Sequence, residues 1–410
     1  MVVERKGYLK QLSRWRDERV IKVITGMRRS GKSTLMSMYK DSLIANGVLN
    51  ERIVYVNFED ISNEDLLDHR SLYEFVCSRL AEDKTTYVFL DEIQMVSSFQ
   101  KAVDSLFLKE NVDLYITGSN AYLLSGELAT LLSGRYVEIN ILPLSFAEYC
   151  GMIKAESRDE AFLRYMRWGG LPYVARISDD DEKTDLYLEG IYNTILIKDI
   201  EDRQKRRDGN PDSRKVTDIT LLGNIARFLA NSVGSPVSVK SISDYLISSG
   251  RKISPNTVSD YLSALTEPYI FYPVERFDIS GKQLLKQSPK YYISDLGLRR
   301  HMLRRQNYDL GYSLENVVYL ELLRRGYRVN VGKIGAGEVD FIAVKNDVCS
   351  YFQVTASMLE ETTFEREMVP LRTIRDNYPK TVLTLDSFSS GNYNGILVKN
   401  VIEWLLNDEN

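Results

Sequence analysis

Residues 21–33 read Ile21-Lys-Val-Ile-Thr25-Gly26-Met-Arg-Arg-Ser-Gly31-Lys32-Ser33, and this run decides the fold. The first five residues are apolar or β-branched at four positions, which suits a short buried strand. Gly26 to Ser33 fits G-x-x-x-x-G-K-[ST] without a mismatch. Lys32 then opens a helix predicted to run to Ala45. Strand, glycine loop and helix in that order form a phosphate cradle: the glycines let backbone N–H groups converge on phosphate oxygens, and the helix adds the positive end of its dipole. Gly26, Met27, Arg28, Arg29, Ser30, Gly31 and Thr34 belong to this loop and its helix start. Lys32 is expected to reach the β- and γ-phosphates of ATP, and the Ser33 hydroxyl to bind Mg²⁺. A chance match is the bland alternative, and the flanking strand and helix argue against it.

The same pattern continues outward. Arg52–Phe58 is a second expected strand, followed by one helix over 64–81. Tyr87-Val-Phe-Leu-Asp91-Glu92 reads as a buried strand ending in two acids. Asp91 is expected to hold Mg²⁺ through water, and Glu92 to orient or deprotonate the attacking water. Elsewhere such a pair is often only a helix cap; following a matched phosphate loop, it points to hydrolysis. A helix through Phe107 and a strand Asp113–Ile116 follow, then Thr117-Gly-Ser119-Asn120. Ser119 or Asn120 either contacts the γ-phosphate or the water, or caps the next helix, Ala121–Leu132. A strand Tyr136–Leu142 completes the set, and Pro143 ends it. Strands alternating with helices predict a parallel sheet covered on both faces.

Composition narrows the chemistry. A chain of 410 residues exceeds one ordinary core and suggests two to four domains. The net charge of −4 gives no global attraction to nucleic acid or anionic membrane, although one basic face on one domain is enough for DNA. Cys77, Cys150 and Cys349 are too dispersed for a disulfide framework or a metal knuckle. With only His69 and His301, a multi-histidine metal site or a Ser-His-Asp triad is nearly excluded. The N-terminus shows no secretory pattern, and no stretch has the roughly 20 apolar residues of a membrane span, so the expected location is cytoplasmic, without membrane association.

The divisions expected along the chain are 1–143 for the nucleotide-binding core, 144–212 for a helical lid and charged linker, 213–280 for three helices with a short β-wing, and 281–410 for a mixed α/β domain. The linker is placed at Glu201–Lys215. The last domain is marked by the hairpin Val339–Ala343 with Tyr351–Ala356.

These residues resemble a prokaryotic family of AAA-type ATP-binding proteins that join the ATPase to a winged helix and a C-terminal restriction-endonuclease-like domain. The matching pieces are Gly26–Thr34, Leu90–Gln94, Thr117–Asn120, Ser133–Arg135 with Leu142–Tyr149, and Trp168-Gly-Gly-Leu-Pro172, with weaker matches at Glu315 and Glu338-Val-Asp-Phe341. The resemblance implies an α/β fold with a P-loop AAA-type parallel sheet, a helical lid, a winged helix and an α/β nuclease-like domain. It also implies a trans-acting arginine just ahead of the last core strand. Arg135 stands there, with a surface salt bridge as its alternative role.

Ser254 and Pro255 cap a would-be recognition helix whose Asn256, Thr257 and Ser259 face outward. That helix lacks Arg and Lys and carries Asp260, so a packing or oligomerisation role competes with DNA binding. Nuclease-like folds use a helix Glu, a strand Asp and a Glu-x-Lys strand. Glu315 and Asp340 match, but Gln353 and Thr355 replace the last acid and the lysine, so phosphodiester cleavage is not expected. Arg299, Arg300, Arg304, Arg305, Arg324 and Arg325 are the residues available for a basic face. The leading expectation is an ATP-hydrolysing switch that couples nucleotide state to the other modules, with a homo-oligomer as a possible assembly. The alternatives are a DNA-binding protein with a regulatory ATPase, acting through the winged helix, and a scaffold for an unidentified protein partner in a toxin–antitoxin or defence system.

Overall fold

The computed structural model describes residues 3–118, 134–207, 218–248, 250–251, 253–304, 309–335 and 337–407. It divides into two compact units: Met1–Pro143 with Glu267–Tyr269, and Leu144–Thr266 with Ile270–Asn410.

The first unit runs α1 (Lys6–Arg14), β1 (Ile21–Thr25), α2 (Lys32–Ala45), β2 (Ile53–Asn57), α3 (His69–Cys77), β3 (Thr86–Asp91), α4 (Phe99–Phe107), β4 (Val112–Thr117) and β5 (Tyr136–Asn140). The five strands are all parallel, in the order β2-β3-β4-β1-β5. Successive side chains leave a strand on opposite faces, and here they supply two cores. Tyr87, Phe89 and Tyr115 pack with Leu12 of α1 and Leu35, Met36 and Tyr39 of α2. Val88, Leu90, Leu114 and Ile116 pack on the other face with Leu72 and Val76 of α3 and Val103 and Leu106 of α4. At the opposite end of the sheet from the phosphate loop, Lys22 of β1 and Asp113 of β4 form a fully buried ion pair, and Asp113 also accepts from the Tyr115 hydroxyl. The chain leaves β1 for the far edge at β2, whereas it leaves β4 for β5 on the other side. Open parallel sheets place ligands at such a reversal, beyond the C-terminal strand ends.

The helix expected over 64–81 is instead a 3₁₀ segment, Ile61–Leu66, and then α3. Asp68 breaks it: its extended backbone lets its carboxylate accept from the N–H groups of Arg70 and Ser71, capping α3.

The second unit begins with α5 (Phe146–Cys150), α6 (Arg158–Trp168), α7 (Pro172–Ile177) and α8 (Asp181–Arg207). The Glu201–Arg207 part of the expected linker is therefore helical, continuing α8. Next come α9 (Ile219–Asn231), α10 (Val239–Ser248), α11 (Pro255–Thr266), β6 (Phe271–Asp278), β7 (Gln283–Ile293), α12 (Leu296–Met302) and α13 (Leu310–Arg324). The remainder is β8 (Arg328–Ile334), β9 (Gly337–Lys345), β10 (Val348–Thr355), α14 (Glu361–Thr373), β11 (Lys380–Thr384), β12 (Gly391–Tyr393), β13 (Ile396–Asn400) and α15 (Val401–Leu406). All eight strands form one sheet, β12-β13-β11-β10-β9-β8-β6-β7. The short wing expected after the three helices is thus a long hairpin. Its strand β6 also pairs in parallel with β8 through Arg276–Asp278, so the hairpin belongs to the C-terminal sheet. The expected division at 280/281 falls in its turn.

The motif Trp168-Gly-Gly-Leu-Pro172 is an interlock within this unit. The Asp295 carboxylate accepts from the N–H groups of Gly170 and Leu171 and also caps α12 through Leu298. Gly169 has φ +77°, and a Cβ there would lie 2.3 Å from an Asp295 carboxylate oxygen; one on Gly297 would lie 2.2 Å from the Trp168 carbonyl oxygen. Burial raises the Asp295 carboxyl to about 6 in spite of these hydrogen bonds. No described helix is long and apolar enough to cross a membrane.

Candidate functional site

The site is built from the ends of β1, β3 and β4. Gly26 follows β1 at φ +136°, and a Cβ there would lie 2.3 Å from the Ile141 carbonyl oxygen, so no other residue fits without moving that backbone. Arg29 at φ +67° and Gly31 at φ +100° complete the loop. Successive turns into the left-handed region curl a backbone into an anion-binding nest. Met27 and Ser30 are buried, Arg28 half-buried, and Arg29 and Thr34 exposed. Gly31 caps α2, whose first residue is the phosphate-loop lysine.

The buried Lys32 ammonium donates to the carbonyls of Gly26 at 3.1 Å and Met27 at 3.2 Å, holding the side chain back across its own loop. The Ser30 hydroxyl is buried and has no hydrogen-bond partner. A nest of positive-φ residues, a lysine folded over it and an unsatisfied buried hydroxyl suit a polyphosphate.

The second half of the site comes from β3. Asp91 is fully buried, yet its carboxylate accepts from three hydroxyls: Ser33 at 3.2 Å, Tyr55 at 3.2 Å and Thr117 at 2.5 Å. Burial and the adjacent Asp91 charge push the Tyr55 phenol well above its ordinary range, so it stays a donor. Thr117, at the end of β4, does two jobs: its hydroxyl also accepts the Glu92 N–H at 2.9 Å. Glu92 sits at φ +57°, uncommon for a residue with a side chain, and its carboxylate accepts from the Gln94 amide. Thr117 holds its backbone N–H and Gln94 its carboxylate, which fixes this uncommon conformation just past the end of β3.

The structure therefore brings Lys32, Ser33, Asp91 and Glu92 together. Ser119 and Asn120, and the helix Ala121–Leu132, lie outside the described residues. Arg135 is not in this cluster. Its guanidinium pairs with Asp104 of α4 at 2.7 Å, the two side chains 44% and 36% exposed, and lies over the Phe107 ring. Thr117, Tyr55 and Gln94 were not singled out from the sequence, although Thr117 and Gln94 lie inside motifs that were. Nothing in strand periodicity marks a threonine as the shared partner of two acids 25 and 26 residues away.

In the second unit, Glu315, Asp340 and Gln353 do come together. Gln353 accepts the Asp340 N–H at 3.3 Å and donates to Glu367 at 2.8 Å. Lys290 of β7, buried, pairs with Glu315 at 3.1 Å and Glu338 at 2.6 Å. Burial and the Glu315 charge hold the Asp340 carboxyl well above its ordinary range. Thr355 donates to the Ser357 carbonyl instead. The basic face suggested by the arginines is largely consumed. Arg299 is buried, donating to the Ala230 carbonyl and Ser313. Arg324 and Arg325 pair with Glu321, and Arg300 covers Trp168; Arg305 is outside the described residues. On α11, Asn256 and Ser259 are exposed and Thr257 half-buried, while Arg251 is paired with Asp218 at 2.6 Å.

Residues 18–150 match the AAA domain, and residues 159–309 match a domain of unknown function, DUF8612. An uncharacterized protein of Haemophilus influenzae is 40% identical over 410 residues, covering 99% of both chains. An uncharacterized protein of Methanocaldococcus jannaschii is 31% identical over 373 residues, 85% of this chain and 77% of that one. Among solved structures, the Walker-type ATPase PABY2304 of Pyrococcus abyssi is similar at TM-score 0.47 and 14% identity, over 73% of this chain and 96% of the other. The Orc1 protein of Aeropyrum pernix, solved in complex with DNA, reaches TM-score 0.28 at 14% identity, over 74% and 93%. Scores this low carry no inference about this chain. The AAA match covers the loop, the acid pair and the five-stranded sheet, and the identity to the two uncharacterized proteins extends over most of the chain: the chain belongs to one family with the Haemophilus influenzae and Methanocaldococcus jannaschii proteins, and its N-terminal third is an AAA domain of the P-loop type.

Proposed function

We propose that this protein hydrolyses ATP and uses the nucleotide state of its AAA domain to control the modules of the second unit. The observation that carries the proposal is the meeting of Ser33 and Asp91. They lie 58 residues apart in sequence, yet their side chains are 3.2 Å apart at the mouth of the phosphate loop, with Glu92 next to them. Gly26 to Gly31 would hold the phosphates through backbone N–H groups. Lys32 would leave the Gly26 and Met27 carbonyls for the β- and γ-phosphates. Ser33 and Asp91 would hold Mg²⁺, which neutralises charge on the β- and γ-oxygens when bound. Glu92, aimed by Thr117 and Gln94, would orient the attacking water and take its proton.

Arg135 is the proposed arginine finger. Its present partner Asp104 does not oppose this role, because an exposed pair contributes only about 0–1 kcal/mol and is readily exchanged. The finger makes the working unit a homo-oligomer. In the second unit, α9 to α11 would act as the winged helix and β7 to β13 as a nuclease-like scaffold that does not cut. Titration of a fluorescent ATP analogue and phosphate release by the full chain with Mg²⁺ test the proposal. Saturable binding and turnover, both lost in Lys32→Ala, are the expected results; phosphate release unchanged in Lys32→Ala would reject it.

A further inference from the structure

Arg5 has no part in any motif read from the sequence, yet its guanidinium is buried at 4% exposure. One terminal nitrogen donates to the carbonyl of Ser30, inside the phosphate loop, at 3.1 Å. The other donates to the carbonyls of Leu142 at 3.0 Å and Pro143 at 3.3 Å, and the cation lies 4.7 Å from the centre of the Tyr8 ring. These are backbone atoms of two segments more than a hundred residues apart, reached by a rigid planar fork that lysine lacks.

The consequence for the loop follows from peptide geometry. The Ser30 carbonyl and the Gly31 N–H belong to one planar trans peptide and point in opposite directions. Holding the carbonyl toward Arg5 turns the Gly31 N–H away from it, fixing one donor of the nest before any phosphate arrives. A preformed donor saves the ordering free energy that a floppy loop would spend on binding. The Leu142–Pro143 end of the fork lies at the point where the chain leaves the nucleotide-binding unit. Gly26 lies close to Ile141 there, so the loop meets this segment directly at its first residue and through Arg5 at Ser30.

We propose that Arg5 is the positioning residue of the phosphate loop: it orients the Ser30–Gly31 peptide for polyphosphate and ties the loop to the segment through which the chain passes to the second unit. This rests on the reading of the loop as an ATP site.

The test uses the full chain, fluorescent ADP as probe and inorganic pyrophosphate as competitor, recording affinity and binding stoichiometry separately. Arg5→Met should weaken both ligands by about 10- to 100-fold, the equivalent of one charged hydrogen bond, with stoichiometry near that of the parent. Arg5→Lys should recover part of the loss. Tyr8→Phe removes the hydroxyl that accepts the Leu142 N–H without touching the Ser30 carbonyl, and should bind like the parent. Parental affinity in both Arg5 variants would overturn the proposal. So would an equal loss in Tyr8→Phe, or a fall in stoichiometry at unchanged affinity, which marks simple misfolding. Failure of the parent to bind either ligand would remove the ATP reading and this proposal together. Binding by the parent, lost in Lys32→Ala and untouched in Arg5→Met, would remove this proposal alone.

Discussion

Asp91 and Glu92 are neighbours to which the proposed mechanism gives different tasks, and they differ in what holds each one. Asp91 is fully buried and surrounded by three hydroxyl donors, which hold its carboxylate in one place. Glu92 is turned into the left-handed region with a side-chain amide as its partner, which suits a group that moves to accept a proton. Thr117 serves both, so its hydroxyl is the residue-scale test of the arrangement. Thr117→Val keeps the shape and removes the bridge. ATP affinity should stay within about threefold, because the phosphate loop is intact, while turnover should fall by about tenfold or more. Steady-state phosphate release alongside nucleotide titration separates the two; equal losses in binding and turnover would assign Thr117 to packing.

At the scale of elements, the Asp295 interlock makes a pH prediction. Its folded carboxyl lies at about 6, against 3.8 for the free group. The folded state therefore binds the proton more tightly than the unfolded state. The stability from this group is fully present below 3.8 and is lost as pH rises through about 6, an effect on the order of 3 kcal/mol. Denaturant titrations of the parent and Asp295→Asn from pH 4 to 7.5 should differ by an amount that changes across that window. A difference independent of pH would mean that Asp295 is not the titrating group.

Elements also show what was legible in the sequence. The strand β1, the loop and α2 were readable because backbone geometry demanded residue types, glycine above all, at fixed spacing. The place of Asp91 and Glu92 at the end of β3 was readable because four apolar residues precede them. The break before α3 was missed, since Asp68 competes with the helix only through a cap. The wing was misjudged because hairpin strands look alike whether free or built into a sheet; only the pairing of β6 with β8 decides. Arg5 and Thr117 were invisible because their partners are distant backbone or side-chain atoms, which periodicity does not encode.

At the scale of the whole molecule, two outcomes are expected. Arg135 lies outside the cluster of its own chain, so specific ATPase activity should rise with protein concentration as subunits supply it in trans. Arg135→Ala should bind nucleotide normally and turn over slowly, by about 10³-fold or more. Mixing it with Lys32→Ala should restore some activity; concentration-independent activity and a dead mixture would make Arg135 structural. The second outcome concerns Lys290, which occupies the centre of the Glu315–Glu338 carboxylates, and Gln353, which is engaged with Glu367. Incubation with several DNA and RNA forms in Mg²⁺ or Mn²⁺ should show no cleavage. Cleavage abolished by Asp340→Ala would contradict this.

The most direct measurement is made on Glu92→Gln, which keeps the size of the side chain and removes its basicity. The variant and the parent are saturated with ATP·Mg²⁺, and bound nucleotide and released phosphate are followed together. Retained ATP with phosphate release near background is the predicted result. Release at the parental rate would remove Glu92 from the mechanism and, with it, the proposed division of labour between the phosphate loop and the acid pair.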